Sequence, residues 1–280
     1  MQFKIGICQM MVMEDKGENI EKAESMIREA AGNGARVVVL PEMFNCPYEN
    51  KYFPLYAEAY PGETTERLSL MAMESNIYLI AGSIPEQEGD HIYNTSFIFG
   101  PDGKLIGRHR KMHLFDIDVE GKIRFKESDT LGYGEEITVV ETEFGKIGVA
   151  ICYDMRFPEL MRLMVLEGAE VIIVPAAFNM TTGPAHWDIT IKARALDNQV
   201  YFVAASPARN MDATYHAYGH SSIVSPWGDV IAQADEKETI LYGEIDLEKV
   251  KKVRRELPLL QHRRTTLYDV VKKKLLKNRR

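Results

Sequence analysis

Short apolar runs alternate with amphipathic stretches along most of this chain. Residues 3–9 (FKIGICQ) alternate apolar and small or polar positions and predict a strand. Ile20, Ala23, Ile27, Ala30 and Ala31 recur at helical spacing over 19–33, and Gly32 and Gly34 stop that helix. RVVVL (36–40) is a continuous β-branched run, the pattern of a strand covered on both faces. Residues 65–75 predict a second helix, and IYLIAG (77–82) a second covered strand. Residues 94–99 and 105–110 flank PDGK, a hairpin turn.

The second half repeats this order. KIGVAI (146–151) predicts a strand and 158–167 a helix. GAEVIIVPA (168–176) then echoes GARVVVLPE (34–42), and VYFVAAS (200–206) echoes IYLIAGS (77–83). SPWGDVI (225–231) echoes GPDGKLI (100–106). Two similar α/β halves with apolar sheet faces bury those faces by stacking sheet on sheet, with helices outside. The expectation is one α/β domain over residues 1–248, a four-layer αββα sandwich of two pseudo-repeated halves.

Charge divides the chain differently. The whole has 280 residues and a formal charge of −7. Residues 249–280 carry 13 Lys or Arg against Glu256 and Asp269, a local +11, which leaves −18 on the first 248. Such a tail suits a nucleic acid or acidic membrane, or else a subunit contact. Leu257, Leu259, Leu260, Leu267, Tyr268, Val270 and Val271 interrupt it, which favours packing against protein. With no RNA-binding motif and a net acidic body, the expectation is no nucleic acid partner and a basic extension at a subunit interface.

Composition narrows the class further. Hydrophobic residues at 45% exclude a disordered chain. No apolar run approaches the ~20 residues of a membrane helix, so no membrane span is expected. Three cysteines are too few for a disulfide framework and suit a reducing compartment. The opening MQFKIGICQMMVMED lacks a signal-peptide pattern, and the expected location is cytoplasmic.

The chemistry-bearing residues sit at strand ends, where open α/β sheets place their ligands. Glu42 ends the first VVVLP strand, Lys111 ends the strand 105–110, and Cys152 ends KIGVAI. Cys152 stands where a strand turns sharply towards a helix opened by Pro158 and Glu159. A helix N-terminus there is expected to lower the thiol pKa. Cys8 reads as a core thiol; Cys46, in a loop, stays undecided. The seven histidines share no motif, so Glu42, lifted by desolvation, is the candidate base. Lys111 favours the thiolate and holds an oxyanion, with the Tyr153 N–H as second donor. No G-x-S-x-G, Walker or G-x-G-x-x-G motif competes. His109 and His113 are four apart but straddle a strand end, so no metal site is expected.

At these positions the sequence resembles the carbon–nitrogen hydrolase (nitrilase) superfamily. The motifs are VVVLPEMF (37–44), RKMHLFD (110–116) and CYDMRFPEL (152–160), in order, within a likeness running from residue 3 to about 270. The resemblance implies a Glu42–Lys111–Cys152 triad, a nitrilase-like αββα fold, a homodimer or higher oligomer, and neither cofactor nor metal. Within that family HLFDIDVEGKIRFKES (113–128), FNMTTGPAHW (178–187) and RALDNQVYFVAASPAR (194–209) resemble the omega-amidase branch. That likeness implies a thioester route on small dicarboxylate monoamides such as 2-oxoglutaramate or 2-oxosuccinamate, with Glu127 as a further glutamate of the site. It offers Tyr48 and Arg156 as binders of the distal carboxylate; Arg156 equally suits an ion pair with an acid such as Asp154. Two other readings stay open. One is a different amidase of the superfamily, acting on deaminated glutathione or N-carbamoyl compounds; the other is a non-catalytic scaffold.

Overall fold

A computed structural model describes residues 1–273. Strand β1 (Gln2–Gln9) leads to α1 (Lys16–Gly32), whose first turn is capped by the Asp15 carboxylate accepting from Glu18 N–H. Then follow β2 (Val37–Val39), the short α2 (Phe53–Tyr56), α3 (Glu63–Ser75), β3 (Tyr78–Ile80), β4 (Ile84–Glu88), β5 (His91–Phe99) and β6 (Leu105–Arg110). A hairpin of β7 (Asp116–Val119) and β8 (Ile123–Lys126) separates the halves. The second half comprises β9 (Thr138–Thr142), β10 (Gly145–Val149), α4 (Pro158–Leu166), β11 (Val171–Pro175), α5 (Gly183–Asn198), β12 (Tyr201–Ala205), β13 (Ser222–Val224) and β14 (Val230–Gln233). β15 (Thr239–Asp246) and α6 (Leu247–Glu256) close it.

The pseudo-repeat holds at the level of register. In the first sheet Ile5, Val37 and Tyr78 stand in line across parallel β1, β2 and β3. In the second, Ile147, Val171 and Tyr201 do the same across β10, β11 and β12. Each parallel trio has an antiparallel neighbour on either side: β15 and β5 in one sheet, β9 and β13 in the other. The chain passes from β6 of the first sheet to β9 of the second, and from β14 of the second back to β15 of the first. The second half thus lends its last strand, β15, to the edge of the first sheet.

Period-two burial sorts the strand residues into layers. Val37, Val39, Val171 and Ile173 face inward and meet between the sheets, together with Ile5, Ile7 and Val203. Val38 and Leu79 face outward onto Ile27 of α1 and Leu68 of α3. Ile172 and Val174 face outward onto Met161 of α4 and onto Trp187 and Ile191 of α5. Helix, sheet, sheet and helix therefore stack in four layers, the nitrilase-like αββα sandwich expected from the sequence.

The boundary between body and extension shifts. The boundary at 248/249 falls inside α6, whose Leu247, Val250 and Val253 are buried against the sandwich. The extension starts only after Glu256. Beyond it, Leu260 packs on the α4–α5 layer and Lys272 pairs with Glu136 at 2.6 Å, while Leu267, Tyr268 and Val271 stay exposed. The last basic residues of the tail, Lys274, Lys277, Arg279 and Arg280, lie outside the described residues.

Candidate active site

Four segments bring the chemistry to one end of the sandwich. The loop after β2 carries Glu42 and is laced to the loop after β3: Met43 N–H donates to Ser83 Oγ at 3.0 Å and Ser83 N–H to Pro41 O at 3.2 Å. Gly82 makes this approach possible. Its φ is +54°, and a Cβ there would sit 2.2 Å from Pro41 O. Lys111 follows β6 directly. Its N–H donates to Asn94 O and its carbonyl accepts from Gly134 N–H, both at 2.8 Å. The β7–β8 hairpin delivers Glu127 at the head of a 3-10 turn, and Cys152 heads a second such turn just past β10. Cys152 has φ +44°, a left-handed conformation that few non-glycine residues hold.

Lys111 is the hub. Its Nζ lies 2.8 Å from Glu42 Oε1, 2.9 Å from Glu127 Oε2 and 3.2 Å from the Tyr48 hydroxyl. All three charged side chains are fully buried. The two carboxylates are held differently. Glu127 accepts from Phe115 N–H at 2.6 Å and from Tyr48 O–H at 2.5 Å besides the lysine. Glu42 takes its bonds on Oε1, from Lys111 and from Asn94 Nδ2 at 2.8 Å, while its buried Oε2 has no nitrogen or oxygen donor. Burial raises the Glu42 carboxyl above its ordinary range; Lys111 opposes this and the Glu127 charge adds to it. The Cys152 thiol lies close enough to Glu42 for each to act on the other's proton affinity. The arrangement therefore offers one saturated carboxylate, one with a free oxygen beside a thiol, and a fixed cation between them.

The thiol itself departs from expectation. Burial, then the Glu42 charge, pushes it well above the ordinary thiol range; Lys111 and the Ala177 N–H pull the other way. The expected lowering by a helix N-terminus is not what prevails, because α4 starts six residues on and Cys152 is 4% exposed. Tyr153 N–H lies at the second position of the 3-10 turn, where a helix start leaves its donors without partners. Cys8 is in the α1–α3 layer with its thiol pushed up by burial, as a core residue would be. Cys46 is also buried, and lines the cavity described below.

Tyr48 and Arg156 diverge. The hydroxyl of Tyr48, expected to bind a carboxylate of the substrate, lies 2.5 Å from Glu127 and 3.1 Å from Glu42, within the buried charge cluster. Burial and these acids raise its pKa, so its proton stays on to bond Glu127. Arg156 does not pair with Asp154, which is taken by other donors. Its guanidinium lies 4.5 Å from the Phe178 ring centre and within 3.1 Å of His186 Nδ1, with no carboxylate partner among the described residues. Its charge acts on the thiol side of the site, since Cys152 is the first group that opposes its burial-driven loss of basicity.

Other contributors escaped the sequence reading. Asn94 sits in the run Asn94–Thr95–Ser96, three buried polar residues in an otherwise apolar strand, and that was the available signal. Tyr215 comes from the loop after β12. Its ring lies 4.7 Å from that of Tyr48, its hydroxyl bonds Ala177 O, and burial with the Cys152 and Glu42 charges pushes its pKa up. Nothing in its local sequence marks it. A cavity of about 360 Å3 reaches Glu42, Tyr48, Ala177 and Tyr215 from the surface, its mouth formed by Glu49, Lys51 and Asp212. Among the described residues no group of three or more His, Cys, Asp or Glu is disposed to hold a metal ion. Nor is any helix among them long and apolar enough to cross a membrane.

Comparison with known proteins agrees with this geometry. The carbon-nitrogen hydrolase family model matches residues 4–255. Omega-amidase NIT2 of Xenopus tropicalis is 55% identical over 273 residues, covering 98% of this chain and 99% of that protein. The human omega-amidase NIT2 is 50% identical over 272 residues, covering 97% and 99%. The crystal structure of Saccharomyces cerevisiae Nit3, described as a member of branch 10 of the nitrilase superfamily, superposes with a TM-score of 0.86 at 43% identity, covering 94% of this chain and 97% of that one. A strand-end acid, base and thiol, an αββα sandwich and near full-length likeness converge on one conclusion: the chain belongs to the carbon-nitrogen hydrolase family.

Proposed function

We propose that this amide-hydrolysing enzyme is a cysteine-dependent omega-amidase. It cleaves the terminal amide of small dicarboxylate monoamides, 2-oxoglutaramate and 2-oxosuccinamate, to acid and ammonia. The observation that carries the reading is the buried Glu42–Lys111–Glu127 cluster abutting the Cys152 thiol. The relatives named omega-amidase support this substrate class, and the modest cavity suits a small ligand.

In this reading Glu42 Oε2 takes the thiol proton and Cys152 Sγ attacks the amide carbon. Lys111 Nζ and the Tyr153 N–H hold the oxyanion of the tetrahedral intermediate. Glu42 returns the proton to the leaving nitrogen, the C–N bond breaks, and ammonia departs from a thioester. Glu42 then takes a proton from water, whose oxygen attacks the thioester carbonyl, and gives it to the departing sulfur. Glu127 anchors Lys111 and keeps the Glu42 carboxyl basic enough for the work. Arg156, an unpaired cation on the thiol side, reads the distal carboxylate.

The same reading extends to assembly and place. α5 exposes Ile189 and Leu196, and the β13–β14 hairpin exposes Trp227 and Ile231. The two elements are joined by the Gln233–Asp188 hydrogen bond at 2.8 Å, so these residues form one apolar face. Such a face suits a homodimer. A nucleophilic thiol with two other free cysteines suits a reducing cytoplasm.

Ammonia release tests the core of this. Purified protein is expected to release ammonia from 2-oxoglutaramate in preference to a bulky peptide-like amide or an N-carbamoyl amino acid. Cys152→Ala is expected to lower kcat at least about a thousand-fold; retained activity would remove Cys152 as nucleophile. Arg156→Met is expected to raise KM for 2-oxoglutaramate about tenfold or more, and to leave a neutral short-chain amide nearly unchanged. Equal effects on both substrates would rule out carboxylate reading. For Glu127→Gln the sign follows from removing a negative neighbour of Glu42: the acid limb of the kcat/KM profile should move to lower pH. An unmoved or raised limb contradicts that role. Light scattering is expected to give twice the 31.9 kDa chain mass, and Ile189→Glu to reduce it to the monomer's.

A further inference from the structure

Lys111 and Cys152 come from different sheets, and something must fix their separation. One side chain reaches both segments. Asp154, two residues after the thiol, is fully buried and is no part of the reaction just described. Its Oδ2 accepts from Ile151 N–H and from His109 Nε2–H, each at 3.0 Å. Its Oδ1 accepts from His113 N–H at 2.9 Å and from His113 Nδ1–H at 2.8 Å. The two histidines stand two residues before and two residues after Lys111. One carboxylate therefore holds the lysine segment on both sides and the thiol turn from within.

We infer that Asp154, with His109 and His113, is a positioning clamp that sets the Lys111–Cys152 distance for catalysis. The inference rests on the triad reading above. The alternative for this histidine pair, a metal site, is answered by the same geometry, since both rings direct a nitrogen at Asp154. The clamp is braced on each flank. His109 Nδ1 lies 3.1 Å from Thr138 Oγ1 on β9, and the His113 ring stacks on Phe157 at 3.6 Å between centres. Four donors on a buried carboxylate keep it ionised far below the ordinary range, with the two imidazoles its largest partners. An ionised carboxylate only accepts, so each facing ring nitrogen carries a proton. The Cys152 turn is the part that needs such restraint, because its φ of +44° is not one that the residue would keep unaided.

The test separates positioning from mere support. Asp154→Asn keeps the shape but replaces one acceptor oxygen with an NH2, which then faces either His109 and Ile151 N–H or the two His113 donors. It is expected to lower kcat about ten- to a hundred-fold with KM changed less than about twofold, the pattern of misplaced catalytic groups around an intact binding site. His113 supplies a second measurement that survives a poorly folding Asp154 variant. His113→Asn places an amide N–H where Nδ1 was, while His113→Phe keeps the stack on Phe157 and loses the donor. The asparagine variant is expected to retain most of kcat and the phenylalanine variant to lose about tenfold. Wild-type kcat in His113→Phe, equal losses in both His113 variants, or an effect of Asp154→Asn confined to KM would overturn the clamp. Cys152→Ala, run alongside, reports on the triad alone: if it stays active, the triad reading fails first.

Discussion

A single buried cation between two carboxylates governs this structure. Removing an ammonium from water costs several kcal/mol unless close, well-aimed acceptors replace the solvent. Lys111 has two, at 2.8 and 2.9 Å. The cluster, counted as ions, still holds one negative charge too many. That excess is not spread evenly, because Glu127 has backbone and tyrosine donors on both oxygens whereas one oxygen of Glu42 has none. The asymmetry leaves Glu42 as the carboxylate with an oxygen to spare, on the side of the thiol.

Such a cluster demands a rigid frame, and the stacked sheets supply it. Glu42 and Lys111 come from the ends of first-sheet strands, and Cys152 from the end of a second-sheet strand. Within each sheet the parallel trio is held in register, which fixes the strands that Glu42 and Cys152 follow. The repeat is then broken where chemistry requires it. The first half's VVVLPE ends in Glu42, and the matching position of the second half is Ala176, buried and apolar. One acid at that level creates a base; a second would add another buried charge with no lysine to hold it. The crossing of β15 into the first sheet ties the halves together, so the distance between base and thiol is set by the sandwich as a whole.

How legible was this in the sequence? The covered strands were plain because β-branched runs such as VVV and VIIV have few other uses, and Glu42, Lys111 and Cys152 follow such strands directly. Long-range partners were not legible. Tyr215 meets Tyr48 from 167 positions away, through a loop without periodicity. α5 went unread although Trp187, Ile191 and Ala195 recur every four residues, because its Gly-Pro start and polar intervening residues masked the stripe. For the thiol, a turn and a proline suggest a helix dipole, but burial and a neighbouring carboxylate outweigh it. The basic tail misled in its limits, since charge begins inside α6 while the fold does not end until Glu256.

The same electrostatics explains why a protonated resting thiol suits the proposed reaction. Moving its proton to Glu42 carries a negative charge from the carboxylate to the sulfur and leaves the buried total unchanged. Attack on the amide carries that charge on to the carbonyl oxygen. At each stage the charge sits beside Lys111, whose own charge Glu127 keeps in place. Burying a new charge in a site this dry would be costly, whereas passing an existing one among three neighbouring atoms around a fixed cation is not. A thiolate formed at rest would spend the lysine's field on the ground state. A thiol that ionises only as it attacks reserves that field for the transition state, where it accelerates the reaction.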